Sequence, residues 1–212
     1  MIEQAINPKI KFCKRIIDIV VSVAILIIFA PVMAIVALMV WRDSPGPVIF
    51  SQQRIGLSTK HSTQLFNMYK FRTMVADAEK QSGAVWATKG DSRVTKIGRF
   101  LRNTRLDELP QLVNVLRGDM SLIGPRPERP GFYQRLETQI PYFAERTFLV
   151  QPGITGLAQV NQGYDTCIDD VRTKVGYDHS YALSLNYPLQ WLAMDLYIAA
   201  KTIVVMVTGR GQ

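Results

Sequence analysis

IVVSVAILIIFAPVMAIVALMVW, residues 19–41, runs for 23 positions without a charged side chain and carries one proline, Pro31, near its middle. A helix of that length would reach about 34 Å, enough to cross the hydrocarbon core of a bilayer. Two features turn the reading away from a simple span. Proline removes a backbone donor and bends a helix. Both flanks are basic, with Lys9, Lys11, Lys14 and Arg15 before the segment and Arg42, Arg54 and Lys60 after it. Ends rich in Lys and Arg stay on the cytoplasmic side, and here both ends carry that signal. The segment is expected to be a re-entrant helix-break-helix that dips into one leaflet and returns. Residues 1–43 then form a membrane hairpin, and 44–212 a second, membrane-associated unit. Asp18 follows Lys14 by four and Arg15 by three, so the three are expected to pair on one helix face at the interface.

The rest of the composition fits one domain with a membrane attachment. The chain has 212 residues, 48% apolar and 20% charged, which excludes a wholly disordered protein. Gly at 14, Pro at 11 and Cys at 2 exclude collagen-like and disulfide-scaffold classes. Cys13 and Cys167 lie far apart, so a structural zinc site is not expected and reduced thiols are. The net charge of +8 suits nucleic acid, an anionic membrane or phosphorylated substrates. Residues 1–75 hold nine basic and three acidic side chains, so most of the excess surrounds the apolar segment. That favours a membrane surface, and the chain lacks the modules and stacking aromatics of a nucleic-acid binder.

Beyond the turn at residues 44–47 (SPGP), residues 48–55 and 64–71 are expected as two strands of a small hairpin. Residues 74–81 suggest a short helix and 81–92 a loop. Ser92 or Thr95 caps a helix bearing Ile97, Phe100 and Leu101. A second helix carries Leu109, Leu112, Val113 and Leu116, with Pro110 in its first turn and Gly118 past its end. Pro125, Pro127 and Pro130 make a rigid loop, residues 131–147 a helix, and 152–156 another loop. Residues 189–207 are apolar but interrupted by Asp195 and Lys201, so an interfacial or core helix is expected there rather than a second span. The fold class is α+β, mainly helical, with interfacial amphipathic helices.

Asp107 and Glu108 stand just before Pro110, at the positive end of a helix dipole, where phosphate is favoured. A carboxylate there can hold a divalent cation or attack a phosphoryl group, or it can merely stabilise the first turn. Arg93, Lys96, Arg99, Arg102 and Arg105 recur every three residues and therefore spread around the helix rather than forming one row. Arg126, between two prolines, is a better-fixed cation. Lys70 and Arg72 flank Phe71 and share one strand face, either facing phosphate or facing water. His61 and His179 have no partners suggesting a triad.

Six motifs in order carry a family resemblance: KR-x-x-D (14–18) before the Pro31 segment, GPVIF with QR-x-G (46–56), YKFRTM (69–74), LDELPQL leading into NVLRGDMS (106–121), GPRP (124–127) and PGITGLAQVN (152–161). Together they resemble the bacterial sugar transferases that are monotopic polyprenyl-phosphate phosphoglycosyl transferases, over nearly the whole chain. The resemblance implies transfer of a sugar-1-phosphate from a nucleotide-diphosphate sugar, usually a UDP-sugar, to undecaprenyl phosphate, starting a cell-surface polysaccharide or glycoconjugate. Asp107 would be the nucleophile, with Glu108 assisting by proton transfer or by arranging metal and acceptor. Arg102 and Arg126 would contact phosphate, with Lys70 a weaker match, and Mg²⁺ would sit near Asp107 to neutralise the diphosphate. It also implies a re-entrant helix held by Lys14, Arg15, Asp18 and Pro31 at the cytoplasmic face of the bacterial inner membrane. Partners are then the donor, the acceptor and membrane lipid, with no nucleic acid; a homodimer stays open. Two departures stand out: Ala30-Pro31 where many members have Ser-Pro, and Gln151 where many have a basic residue. The alternative is a non-catalytic membrane scaffold binding anionic lipid, which gives no reason to place Asp107 and Glu108 beside Arg102 and Arg126.

Overall fold

The computed structural model describes residues 6–78, 90–162 and 168–208. It opens with one helix, α1 (Pro8–Asp43), whose N-terminus is capped by the Asn7 side chain. α1 runs as one helix from Pro8 to Asp43 with Pro31 inside it. Between residues 23 and 35 no α1 side chain is buried, and Ile27 and Ile28 are 70% and 69% exposed.

Both ends of α1 pack on the remainder of the chain. A hairpin follows, β1 (Ile49–Ser58) paired antiparallel with β2 (Thr63–Phe71), in agreement with the sequence. Residues 74–78 are not helical, a correction to the helix expected over 74–81. Met74 bridges Val94, Val75 N–H donates to Arg93, and Asp77 takes a positive φ. Residues 79–81 of that helix, and most of the loop expected over 81–92, lie outside the described residues.

Thr95 caps α2 (Lys96–Thr104) by accepting from Gly98 N–H. A single 3-10 turn (Leu106–Glu108) leads into α3 (Gln111–Arg117), which Gly118 ends in the left-handed conformation that glycine adopts freely. β3 (Ser121–Ile123) pairs in parallel with β4 (Gly153–Thr155), a short strand where a loop was expected. Between them α4 (Pro130–Gln139) stops well before residue 147, because Ile140 precedes Pro141 and is driven to extended backbone. A 3-10 turn (Ala144–Thr147) follows. α5 (Leu157–Asn161), α6 (Ile168–Ser184) and α7 (Pro188–Thr208) complete the chain.

At one end of α1, Ile10 enters a cluster with Tyr181, Trp191 and Ile198. At the other, Val36 and Val40 pack with Phe71 and Leu101. Lys14, Arg15 and Asp18 do not pair with one another as expected. Lys14 pairs with Asp195 of α7 at 3.2 Å, the Arg15 guanidinium donates to the Val115 and Leu116 carbonyls, and Asp18 accepts from Leu122 N–H at 2.9 Å. Three separate elements reach these side chains first, and partners fixed by the fold outcompete a neighbour on an open helix face. By length and composition α1 and α7 are both apolar enough to cross a membrane. Asp195 is turned inward, however, accepting also from Trp191 Nε1 and the Tyr181 hydroxyl, while Lys201 donates to Asn161.

Candidate active site

The turn carrying the two carboxylates sits between α2 and α3, entered through Arg105 with φ of 59°. Asp107 and Glu108 are both buried, 6% and 8% exposed. Facing them is β2. The Asn114 side chain (α3) sutures the two, accepting from Tyr69 N–H at 3.0 Å and donating to the Asn67 carbonyl at 2.8 Å. That suture sets Lys70 opposite Glu108, and the Lys70 ammonium donates to Glu108 Oε1 at 3.0 Å. Arg126 reaches the same oxygen at 3.2 Å and Arg105 approaches to 3.8 Å. Burial alone would raise the Glu108 carboxyl, but these three cations outweigh it and hold it well below the usual range.

Asp107 is different. Burial raises its carboxyl above the ordinary value, Glu108 adds to the rise, and Lys70, Arg102 and Arg105 oppose it. Its Oδ1 is buried and has no hydrogen-bond partner among the described residues. Burial likewise pushes the Lys70 ammonium down, against the pull of both carboxylates. All these groups open into one cavity of about 760 Å³, large enough for a drug-sized ligand. Arg102 lines it too, with its Nε donating to Thr73 Oγ1 at 3.0 Å. Of the residues expected from sequence, Asp107, Glu108, Lys70, Arg102 and Arg126 are brought together.

Other expectations separate. Arg54, counted as a membrane flank, lines the cavity instead, and its Nη1 donates to the Pro127 carbonyl at 3.1 Å. Burial, with Arg126 nearby, lowers its guanidinium to about 10. Arg72, just past β2, also lines the cavity but turns its Nη2 to the Val40 carbonyl and Ser44 at the end of α1. Gln151 points away from the carboxylates and donates to the Gly118 carbonyl. His61 lies in the exposed 59–62 turn, and His179 contacts the Tyr142 carbonyl. Asn114 was missed, and Arg105 was seen only as one of the arginines near the carboxylates. A second depression of about 640 Å³, between α5, α6 and α7, is lined mostly by apolar groups and holds none of these residues.

No described group of three or more His, Cys, Asp or Glu side chains could hold a metal ion by itself. The Asp107 oxygen left without a partner suits a divalent cation that completes its shell from water and a ligand's own oxygens.

A sequence model described as bacterial sugar transferase matches residues 9–209. The chain belongs to the bacterial sugar transferase family. It is 44% identical over 205 residues to the UDP-N-acetylgalactosamine-undecaprenyl-phosphate N-acetylgalactosaminephosphotransferase of Aeromonas hydrophila, covering 97% of this chain and 46% of that protein. It is 38% identical over 198 residues to the UDP-glucose:undecaprenyl-phosphate glucose-1-phosphate transferase of Caulobacter vibrioides, covering 92% and 70%. It is 40% identical over 215 residues to the undecaprenyl-phosphate galactose phosphotransferase of Salmonella typhimurium, covering 95% and 42%. This chain thus spans less than half the length of the Aeromonas and Salmonella relatives. The three names carry three different sugars.

Proposed function

We propose that this chain transfers a sugar-1-phosphate from a UDP-sugar to undecaprenyl phosphate, initiating a cell-surface polysaccharide or glycoconjugate. The observation that carries the reading is the pair of buried carboxylates with opposite electrostatics in one cation-lined cavity. Asp107 has an oxygen without a partner, whereas Glu108 Oε1 is shared by Lys70, Arg126 and Arg105. A scaffold that only binds lipid has no use for that arrangement.

In the first half-reaction an Asp107 oxygen attacks the sugar-bearing phosphorus. The bond to the bridging oxygen breaks and UMP leaves with that electron pair, so Asp107 carries the phosphosugar as an acyl phosphate. A phosphate oxygen of the polyprenyl acceptor then attacks the same phosphorus, freeing Asp107 and forming the polyprenyl diphosphate sugar. Arg102, Arg105 and Arg126 face the charge that develops on the phosphoryl oxygens, the term that dominates phosphoryl transfer. Glu108, held deprotonated, is poorly suited to donate a proton; its role is to hold Lys70 and Arg126 in place. Asp107 would hold Mg²⁺, which when bound neutralises the diphosphate.

The membrane reading is re-entrant, with residues 1–43 as the embedded segment and 44–212 as the catalytic body at the cytoplasmic face of the inner membrane. Its support is that both ends of α1 are tied to the same body, through Arg15 and Asp18 at one end and the Val40 carbonyl, which accepts from Arg72, at the other, while the exposed apolar middle contains Pro31. Engineered cysteines near residues 8 and 43, with Cys13 and Cys167 replaced, should label from the same side; labelling from opposite sides overturns the hairpin. For the chemistry, the experiment is UMP release in nanodiscs across a UDP-sugar panel with Mg²⁺ and undecaprenyl phosphate. Asp107→Ala should lower turnover by more than ~10³-fold, and full UMP release by that variant overturns the nucleophile.

A further inference from the structure

The GPRP loop is fixed through its carbonyl oxygens. Pro125 and Pro127 have no N–H, so acceptors are what those residues offer their surroundings. Four consecutive carbonyls each accept from a different donor. Gly153 N–H donates to Pro125 at 2.8 Å, Arg146 Nη2 to Arg126 at 2.7 Å, Arg54 Nη1 to Pro127 at 3.1 Å and Ile55 N–H to Glu128 at 2.9 Å. Two of these donors are backbone groups. Arg54 lines the cavity itself.

Arg146 is of another kind. It is 4% exposed and is not part of the cavity wall. Its guanidinium lies 4.8 Å from the centre of the Phe143 ring, and its Nη1 donates to Asp178 at 2.9 Å, a carboxylate on α6 that is itself 2% exposed. A planar fork can bridge a carboxylate and a carbonyl at once, which a lysine ammonium does poorly. Burying such a pair is close to neutral for stability, since desolvation offsets the attraction. The geometry therefore needs another reason for this pair, and the Arg126 carbonyl supplies it.

We infer that Arg146, held by Asp178, is the positioning residue for Arg126: it acts through the Arg126 backbone to aim that guanidinium at Glu108 and the donor phosphate, without touching substrate. The chain of contacts runs from α6 through Asp178, Arg146 and Arg126 to Glu108, joining the C-terminal half to the carboxylate turn. This rests on the transferase reading of the cavity.

The test is a double-mutant cycle on the full chain in nanodiscs, with UMP release as readout. Arg146→Gln should lower kcat by 10- to 100-fold, the usual scale for an outer partner that orients a reacting group. In an Arg126→Ala background the same change should cost less than about 2-fold, because there is no guanidinium left to aim. Asp178→Asn, which keeps the shape and one acceptor, should act in the same direction and more weakly. Arg146→Lys should restore only part of the loss. Multiplicative losses in the cycle, or wild-type kcat in Arg146→Gln, overturn the inference. Hydrogen exchange of the peptide over residues 122–129 is the second readout and needs no substrate. It should quicken by about 10-fold in Arg146→Gln while α7 stays as in the wild type; an unchanged loop, or uniform quickening along the chain, overturns it. If the wild type turns over no donor, the transferase reading falls, and loop exchange still decides the role of Arg146.

Discussion

Two groups of cations on this chain look alike in sequence and are used in opposite ways. At the start of α1, Lys14 and Arg15 are matched by fixed partners: one carboxylate, Asp195, and the carbonyls ending α3. Those carbonyls are the negative end of the α3 dipole, so the charge is consumed by holding helix to helix. Around the cavity, Lys70, Arg105 and Arg126 converge on a single carboxylate oxygen, and Arg54 and Arg102 stand on the same wall. Positive charge there exceeds what Glu108 and Asp107 can neutralise, and the surplus suits an anionic ligand. Basic residues thus mark a binding site where they outnumber their fixed acceptors, and a structural joint where they do not.

The largest test of that contrast is Glu108→Gln. Removing the shared acceptor frees Lys70 and Arg126 from their common point, and turnover should fall on the order of 10³-fold, measured by UMP release. Next comes Asp178, the buried carboxylate that holds Arg146, whose titration should appear in stability beside its effect on turnover. Burial pushes it from 3.8 up to about 6, against the pull of Arg146, His179 and Lys174. A native carboxyl that holds its proton more tightly than the unfolded one stabilises the fold at low pH. That advantage is lost as pH rises through about 4 to 6. The stability of the wild type relative to Asp178→Asn should therefore drop by about 3 kcal/mol between pH 3 and 8, read from denaturation midpoints. The smallest effect is expected for Arg15→Gln: about 2 kcal/mol of stability lost with its two carbonyl contacts, and kcat/KM of the folded protein within 2-fold of wild type. A large fall in kcat/KM there would erase the distinction between the two groups.

Much of the architecture was legible because its causes are local. Thr95 caps α2, Pro110 and Gly118 bracket α3, and alternation gives β1 and β2, each within a few residues of the signal. The early end of α4 was also written locally, in Pro141, but the apolar pattern continuing beyond it masked the signal. The partners of Lys14, Arg15 and Asp18 were not legible, since they lie about 100 to 181 positions away in the chain. The carboxylate pair and three of its cations could be named from sequence. That Glu108 collects the cations while Asp107 Oδ1 is left without a partner could not, because it depends on β2 facing the 3-10 turn across the Asn114 suture. Arg54 shows the same limit. Sequence proximity placed it with the membrane flank, and the hairpin carries it to the cavity.

β3 and β4 meet through glycines. A Cβ on Gly124 would run into the Gln151 carbonyl oxygen, one on Gly153 into the Gly124 nitrogen, and one on Gly156 into the Gly124 oxygen. The motifs GPRP and PGITG, 25 residues apart at their closest in sequence, therefore form one backbone joint with no room for variation on either side. On the proposed activity, an attempt to change the sugar accepted should leave 124–128 and 153–156 untouched. The diversity belongs on the cavity wall that Phe132 and Leu136 of α4 and Val171 and Lys174 of α6 provide. There a changed side chain alters the shape offered to the ligand and leaves that joint intact.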